Sequence, residues 1–359
     1  MYPIEEILRK GVVLADEVEV YLTEGIALSG ELKRAQVSRV AESRYFSLSV
    51  RTIKDGRIGN SQSSNPRDWE KCLDASVASG TLAPGQPWNG LPHPAKLDSR
   101  PIAFDPSLTP DSDIILGLLK GMIEGASSHP VEVTSGGASL SVQTTTLANS
   151  NGLFYSRPRS HVSASIETIR ENSTGYEFGN SYTMDLDPVS IGDRAGFLAS
   201  ASYGGIDIRS GPYDVVLSPV AFAQLIGAVL LPALSGRNVH AGRSKLATSL
   251  GDQIIDPALS LSDDPFLEKG LGSTRWDAEG VPTRHLSFIR KGVLEHFSYD
   301  LKTASRYGKE STGSAVRTGH GGGPAIGNHN VIIDGPRMDV MEDEAIYIQD
   351  VVGAHTANP

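Results

Sequence analysis

The chain has a single cysteine, Cys72, in 359 residues. No intrachain disulfide and no cysteine-based zinc cluster can form from it. Aromatic residues make up only 6%, whereas glycine (38) and proline (21) are plentiful, which favours many turns and a strand-rich, loop-rich build. No run of lysine or arginine offsets a formal net charge of −10. Such a surface repels phosphate backbones, so nucleic acid is not an expected partner, and the acidity reads as solubility. Met1–Lys10 is charged and helix-like and has no signal-peptide core. Val215–Leu234 is the only long apolar stretch, and Ser218, Pro219, Gln224 and Pro232 interrupt it. A helix opening at Pro219 is short for a membrane span of roughly 20 residues. It reads as a buried core helix, and the protein as cytoplasmic with no membrane partner. No G-x-S-x-G elbow exists to support a hydrolase triad.

The length predicts two domains. Apolar spacing gives helices over Pro3–Ala15, Asn65–Ser79, Ser112–Ala126 and Asp187–Tyr203. Alternation gives strands over Glu17–Thr23, where it looks half-buried, Ile26–Val40, Tyr45–Ile53, Ala138–Ala148, Val162–Arg170 and Tyr176–Thr183. Asp55-Gly56 marks a hairpin. Residues 1–208 therefore read as an α/β domain, with a Pro/Gly-rich linker at about 80–110. Residues 209–359 read as a mostly antiparallel β domain bearing the one buried helix. The fold class is α+β.

Nine histidines invite a metal, yet no two stand at i, i+4 and none has the carboxylate spacing of a zincin helix. Thr318–Pro324 (TGHGGGP) is glycine-rich, but it lacks the G-x-x-x-x-G-K-[ST] pattern and reads as a surface loop. Cys72 falls in a predicted amphipathic helix, where a small core residue is the ordinary role. His240, Arg243 and His320 form a speculative pocket. Arg243 suits a carboxylate or phosphate, or equally a structural pairing with Asp252, Asp256 or Asp263. Asp263-Asp264 and the Asp277–Glu279 cluster read as acid/base pairs or, more simply, as solvated acidic loops.

Several segments carry a resemblance. They are SGPYDVVLSPVAFAQLIGAVLLPALSG (Ser210–Gly236), GRSKL (Gly242–Leu246), DDPFLEKGLGSTRWDAEGVPTR (Asp263–Arg284) and GVLEHFSYDLKTASRYG (Gly292–Gly308). With ADEVEVYLTEG (Ala15–Gly25), VRTIKDGRIG (Val50–Gly59) and ANSNGLF (Ala148–Phe154), they resemble the TldD/PmbA family over nearly the whole chain. The family includes proteins known as modulators of DNA gyrase. Its TldD type carries H-E-x-x-G-H on a helix, where two histidines bind zinc and the glutamate polarises water. Its PmbA (TldE) type lacks that motif and pairs with TldD.

Here the matching residues are Ala223-Gln224-Leu225-Ile226-Gly227-Ala228. Gly227 keeps the family glycine, while Ala223, Gln224 and Ala228 replace His, Glu and His. The resemblance therefore implies the PmbA type, with no catalytic residue, no metal and no cofactor of its own. It further implies a TldD-like zinc peptidase as heterodimer partner, or else a homodimer, acting on peptide substrates. The family runs on past the HTAN element, here His355–Asn358, so the C-terminal domain is expected to be shortened. Two alternatives stay open: an independent hydrolase with a dispersed site, and a peptide- or anion-binding module near Gly319–Gly323.

Overall fold

The computed structural model describes residues 4–100, 102–317, 323–337 and 345–353. Two antiparallel meanders build its main sheet. β1 (Glu17–Lys33), β2 (Gln36–Lys54) and β3 (Arg57–Ser63) form one, and β4 (Glu132–Asn149), β5 (Phe154–Arg170) and β6 (Ser173–Ser181) form the other. β1 pairs β4, giving the order β3-β2-β1-β4-β5-β6 with antiparallel pairing throughout. Asp55 (φ 50°) and Gly56 (φ 68°) close the expected hairpin, since a two-residue turn of this kind needs positive φ at both positions. Arg34 (φ 50°) and Ala35 (φ 57°) close another. The single strand expected over Ile26–Val40 is therefore two strands, and the turn lacks the glycine or asparagine that would have signalled it.

One face of this sheet is apolar and helix-covered. Even-numbered residues Val18, Val20, Leu22, Leu48 and Val50 pack on α1 (Ile4–Leu14) and α2 (Trp69–Leu82) through Ile7, Cys72 and Leu73. Cys72 is a buried free thiol whose pKa is pushed up by burial, in keeping with a core role. Farther along, Leu28, Leu32, Leu140, Val162 and Ile166 pack on α3 (Ser112–Ala126) and α4 (Pro188–Ala201). Asp111 and Asp187 cap these helices by accepting from Asp113 N and from Val189 and Ser190 N. α3 and α4 approach so closely that a Cβ on Gly192 would stand 2.0 Å from the Met122 carbonyl oxygen. Residues 83–111 carry no helix or strand among those described. This segment is tied to β1 by Trp88 Nε1 and Leu91 N, which donate to Glu17 at 2.5 and 2.9 Å.

The C-terminal part begins with β7 (Asp214–Leu217) and a long helical run. That run is α5 (Pro219–Leu225), a π-helical segment Ile226–Leu230, α6 (Leu231–Ala233) and then α7 (Gly236–His240). Next come β8 (Ser260–Asp263), β9 (Leu286–Arg290), β10 (Val293–Leu294), α8 (Leu301–Tyr307), β11 (Ala315–Val316), β12 (Ala325–Ile326), β13 (Val331–Asp334) and β14 (Ala345–Ile348). The four-stranded sheet β10-β9-β8-β13 is antiparallel, and β14 lies parallel to β7. Phe288, Ile289, Leu294, Leu261 and Leu234 form its core.

The α+β class is thus as expected. The burial expected for the apolar helix is not. Between Pro219 and Ala233 only Ala221 is buried, while Phe222 and Val229 keep 37% and 45% of their surface. The described residues of the chain cover the helix only in part: Leu230 and Leu231 pack on the C-terminal core, while Phe222 and Val229 stay exposed. No helix among the described residues is long and apolar enough to cross a membrane.

Candidate functional site

Ser218 caps α5 by accepting from Ala221 N, and Pro219 pre-sets its first turn. The π segment follows, with Leu231 N donating to Ile226 O. In a regular α-helix at 3.6 residues per turn, positions five apart point roughly 140° apart. The wider π turn, which begins between them, narrows the angle separating positions 223 and 228. The backbone thus keeps a shape suited to paired side chains at this spacing, while the side chains themselves are methyl groups. Ala223 is exposed, and a Cβ on Gly227 would meet open space. Gln224 Oε1 accepts from Val351 N at 3.0 Å, a structural contact. Alanine offers no ligand atom and glutamine is no base, so these residues do not fit a zinc ion. Among the described residues no three His, Cys, Asp or Glu side chains converge as a ligand set.

The residues of the speculative pocket are placed separately. The His240 ring stacks on Tyr307 at 4.0 Å, and its Nε2 lies 3.3 Å from the Tyr299 hydroxyl. Arg243 is exposed and makes no ion pair among the described residues. Asp263 is engaged instead by His329, whose Nδ1 lies 3.0 Å away. His320 and most of the Gly319–Gly323 loop lie outside the described residues.

The most developed chemistry lies on the second face of the main sheet. Odd-numbered residues of β1 and β2 point there, and the pairing sets Glu19 opposite Arg51, Tyr21 opposite Ser49 and Thr23 opposite Ser47. Alternation of this kind suggests a solvated face. The C-terminal segments around Trp276 and Ala315 cover it instead, leaving Glu19, Ser47, Ser49, Arg51 and Thr145 between 0% and 4% exposed. Glu17–Thr23 is therefore buried on both faces.

Arg51 donates to Glu19 and to Glu279, each at 2.5 Å, and Arg317 donates to the other Glu19 oxygen at 2.5 Å. Burial works against the Arg51 charge, and the two carboxylates overcome it and hold its pKa above the ordinary value. Glu279 also accepts from Leu301 N at 2.7 Å. Asp277 accepts from the backbone N–H groups of Glu279, Val281 and Ala315. Burial, then the adjacent Glu279, push its carboxyl up to about 8. The expectation of solvated loops fails for this cluster: Asp277 is 1% and Glu279 0% exposed. The network joins β1 and β2 to the C-terminal part, and Glu19, Arg51 and Arg317 were not singled out from sequence. The available signal was charge at alternate positions of two strands, which reads equally well as solvent exposure.

Comparison with known proteins places this architecture. Models of the PmbA/TldA metallopeptidase domains match in order: domain 1 over residues 18–80, the central domain over 105–203 and the C-terminal domain over 210–359. The chain belongs to the PmbA/TldD family. It is 31% identical to an uncharacterized protein of Methanocaldococcus jannaschii, over 99% of this chain and 84% of that one. It is 26% identical to metalloprotease PmbA of Escherichia coli O157:H7, over 83% and 69% of the two chains. Its structure is similar to that of TldE from Thermococcus kodakarensis, with a TM-score of 0.88, 25% identity, and 97% and 82% of the two chains covered.

Proposed function

We propose that this chain is a PmbA/TldE-type subunit without zinc ligands of its own, which works beside a TldD-like zinc peptidase on extended peptides. The observation that carries this reading is the triad Ala223, Gln224 and Ala228 at the motif positions. The exposed apolar side of the same helix, with Phe222 and Val229, supports it, because such a patch suits a contact with another chain. So does the free edge of β6 at the end of the sheet. A cleft of about 770 Å³ runs along that edge, with Tyr176, Phe178 and Phe197 in its wall and Val220 of α5 beside them. An extended peptide can add to such an edge through main-chain hydrogen bonds.

Co-expression with the TldD-like protein of the same genome tests the proposal. The two chains are expected to co-purify, and peptide cleavage is expected from the pair and not from this chain alone. Stoichiometric zinc in the isolated chain, together with peptidase activity, would overturn the reading and favour the independent hydrolase. A stable homodimer that ignores the TldD-like protein would overturn the heterodimer.

A further inference from the structure

A cavity of about 330 Å³ lies between the polar sheet face and the C-terminal segments that cover it. Arg157, Arg159 and Arg317 line it, with Asp277 as the only carboxylate in its wall among the described residues. Arg317 is neutralised by Glu19. Arg157 and Arg159 have no carboxylate within salt-bridge distance among the described residues. Arg157 donates to the Trp276 carbonyl at 2.5 Å and to the Thr274 hydroxyl, and its guanidinium lies 4.0 Å from the Trp276 ring. Arg159 donates to the Leu271 carbonyl at 2.9 Å. Neutral acceptors fix both guanidiniums without cancelling their charge. Asp277 favours the Arg157 charge from beyond salt-bridge distance but does not outweigh its burial. Burial draws the pKa of Arg157 below its ordinary value, as expected of a cation lacking a counterion.

Two further features narrow the ligand. Arg157 and Arg159 stand two apart on β5, so they share a face and lie roughly 6.6 Å apart along the strand, within reach of one small oxyanion. In the same wall, Asn328 Oδ1 is buried without a hydrogen-bond partner among the described residues. It asks for a donor, which a peptide N–H supplies. The volume is at the lower end for ligand pockets and suits a chain end of two or three residues.

We propose that this cavity holds the C-terminal carboxylate of a short peptide, with Arg157 and Arg159 on the carboxylate and Asn328 Oδ1 accepting a peptide N–H. The proposal rests on the peptide reading given above, but its test needs neither a partner nor cleavage. Calorimetric titration of the purified full chain compares trialanine, trialanine amide and inorganic phosphate. Trialanine is expected to bind, and its amide to bind at least roughly tenfold more weakly, because the charge-assisted bonds are lost. Arg159→Gln is expected to reduce trialanine affinity roughly tenfold with an unchanged melting temperature, since this residue is exposed and makes one carbonyl contact. Asn328→Asp, which sets a second anion against the carboxylate, is expected to weaken it as well. Equal binding of acid and amide, binding of neither, or binding of phosphate alone would overturn the proposal. Trialanine binding without any TldD-like partner would sink only the partner role. Partner association without trialanine binding would sink only the pocket.

Discussion

Two regions of this protein invert the usual placement of side chains, in opposite senses. On the polar sheet face, Glu19, Arg51 and Glu279 are 0–1% exposed. On the helix from Pro219 to Ala233, Phe222 and Val229 are 37% and 45% exposed. Burying an ion costs several kcal/mol unless good partners repay it, so the first region persists because Glu19 and Glu279 are matched by Arg51 and Arg317. Leaving apolar surface in water forfeits roughly 25 cal/mol per Å², so the second has surface still to bury. The first region is closed and holds this molecule together. The second leaves apolar surface exposed among the described residues. The positions that the family resemblance matches to a zinc motif, Ala223, Gln224 and Ala228, lie in this second region.

The largest expected effect breaks the closed region. Arg51→Met strands Glu19 and Glu279 in the interior and is expected to cost about 3–5 kcal/mol in urea unfolding. Arg51→Met with Glu279→Met leaves the Glu19–Arg317 pair intact, and at least half of that loss should return. A single substitution costing under about 1 kcal/mol would mean that water reaches the network and that the face is not closed. Leu119→Ala, on the helix-covered face, supplies the ordinary-core reference. Leu119 is fully buried among Leu28, Leu140 and Ile166, and its truncation is expected to cost about 3 kcal/mol. Trialanine binding should survive this second change, because Leu119 does not line the arginine cavity.

What could be read from the sequence divides along the same line. Local signals were legible: the helix starts near Ser112, Asp187 and Pro219, Asp55-Gly56 as a turn, and the apolar stripes of α1 to α4. Each depends on neighbours within a few residues. The polar face was not legible, because its partners are distant in the chain. Glu19 meets Arg51 across 32 positions, and Arg317 across 298. Alternation states which residues share a face but not what covers it. The same gap explains the helix at 219–233, whose composition fixes its affinity for apolar surroundings and leaves open which chain provides them. The motif positions 223, 224 and 228 were legible only through the family resemblance. The arginine cavity had no sequence signal beyond Arg157-Pro158-Arg159 in a strand.

The smallest expected effects fall on the open region. Phe222→Ser with Val229→Ser is expected to change stability by no more than about 0.5 kcal/mol, as for other exposed positions, while co-purification with the TldD-like chain falls sharply. A large loss of stability would show that this helix is packed within its own chain after all.

Ala223→His, Gln224→Glu and Ala228→His together test whether the missing side chains are all that separates this helix from a catalytic one. A catalytic zinc site takes three protein ligands and an open position for water. The triple substitution supplies two histidines and a base. The described residues hold no ready-made group of three His, Cys, Asp or Glu side chains, and Gln224 is held by Val351 N. The expected outcome is weak or no zinc retention after dialysis, with peptide cleavage at background. Zinc-dependent cleavage by the triple variant alone would mean that the chain already contains the remainder of the site. The open region would then be a dormant active site in addition to a contact surface.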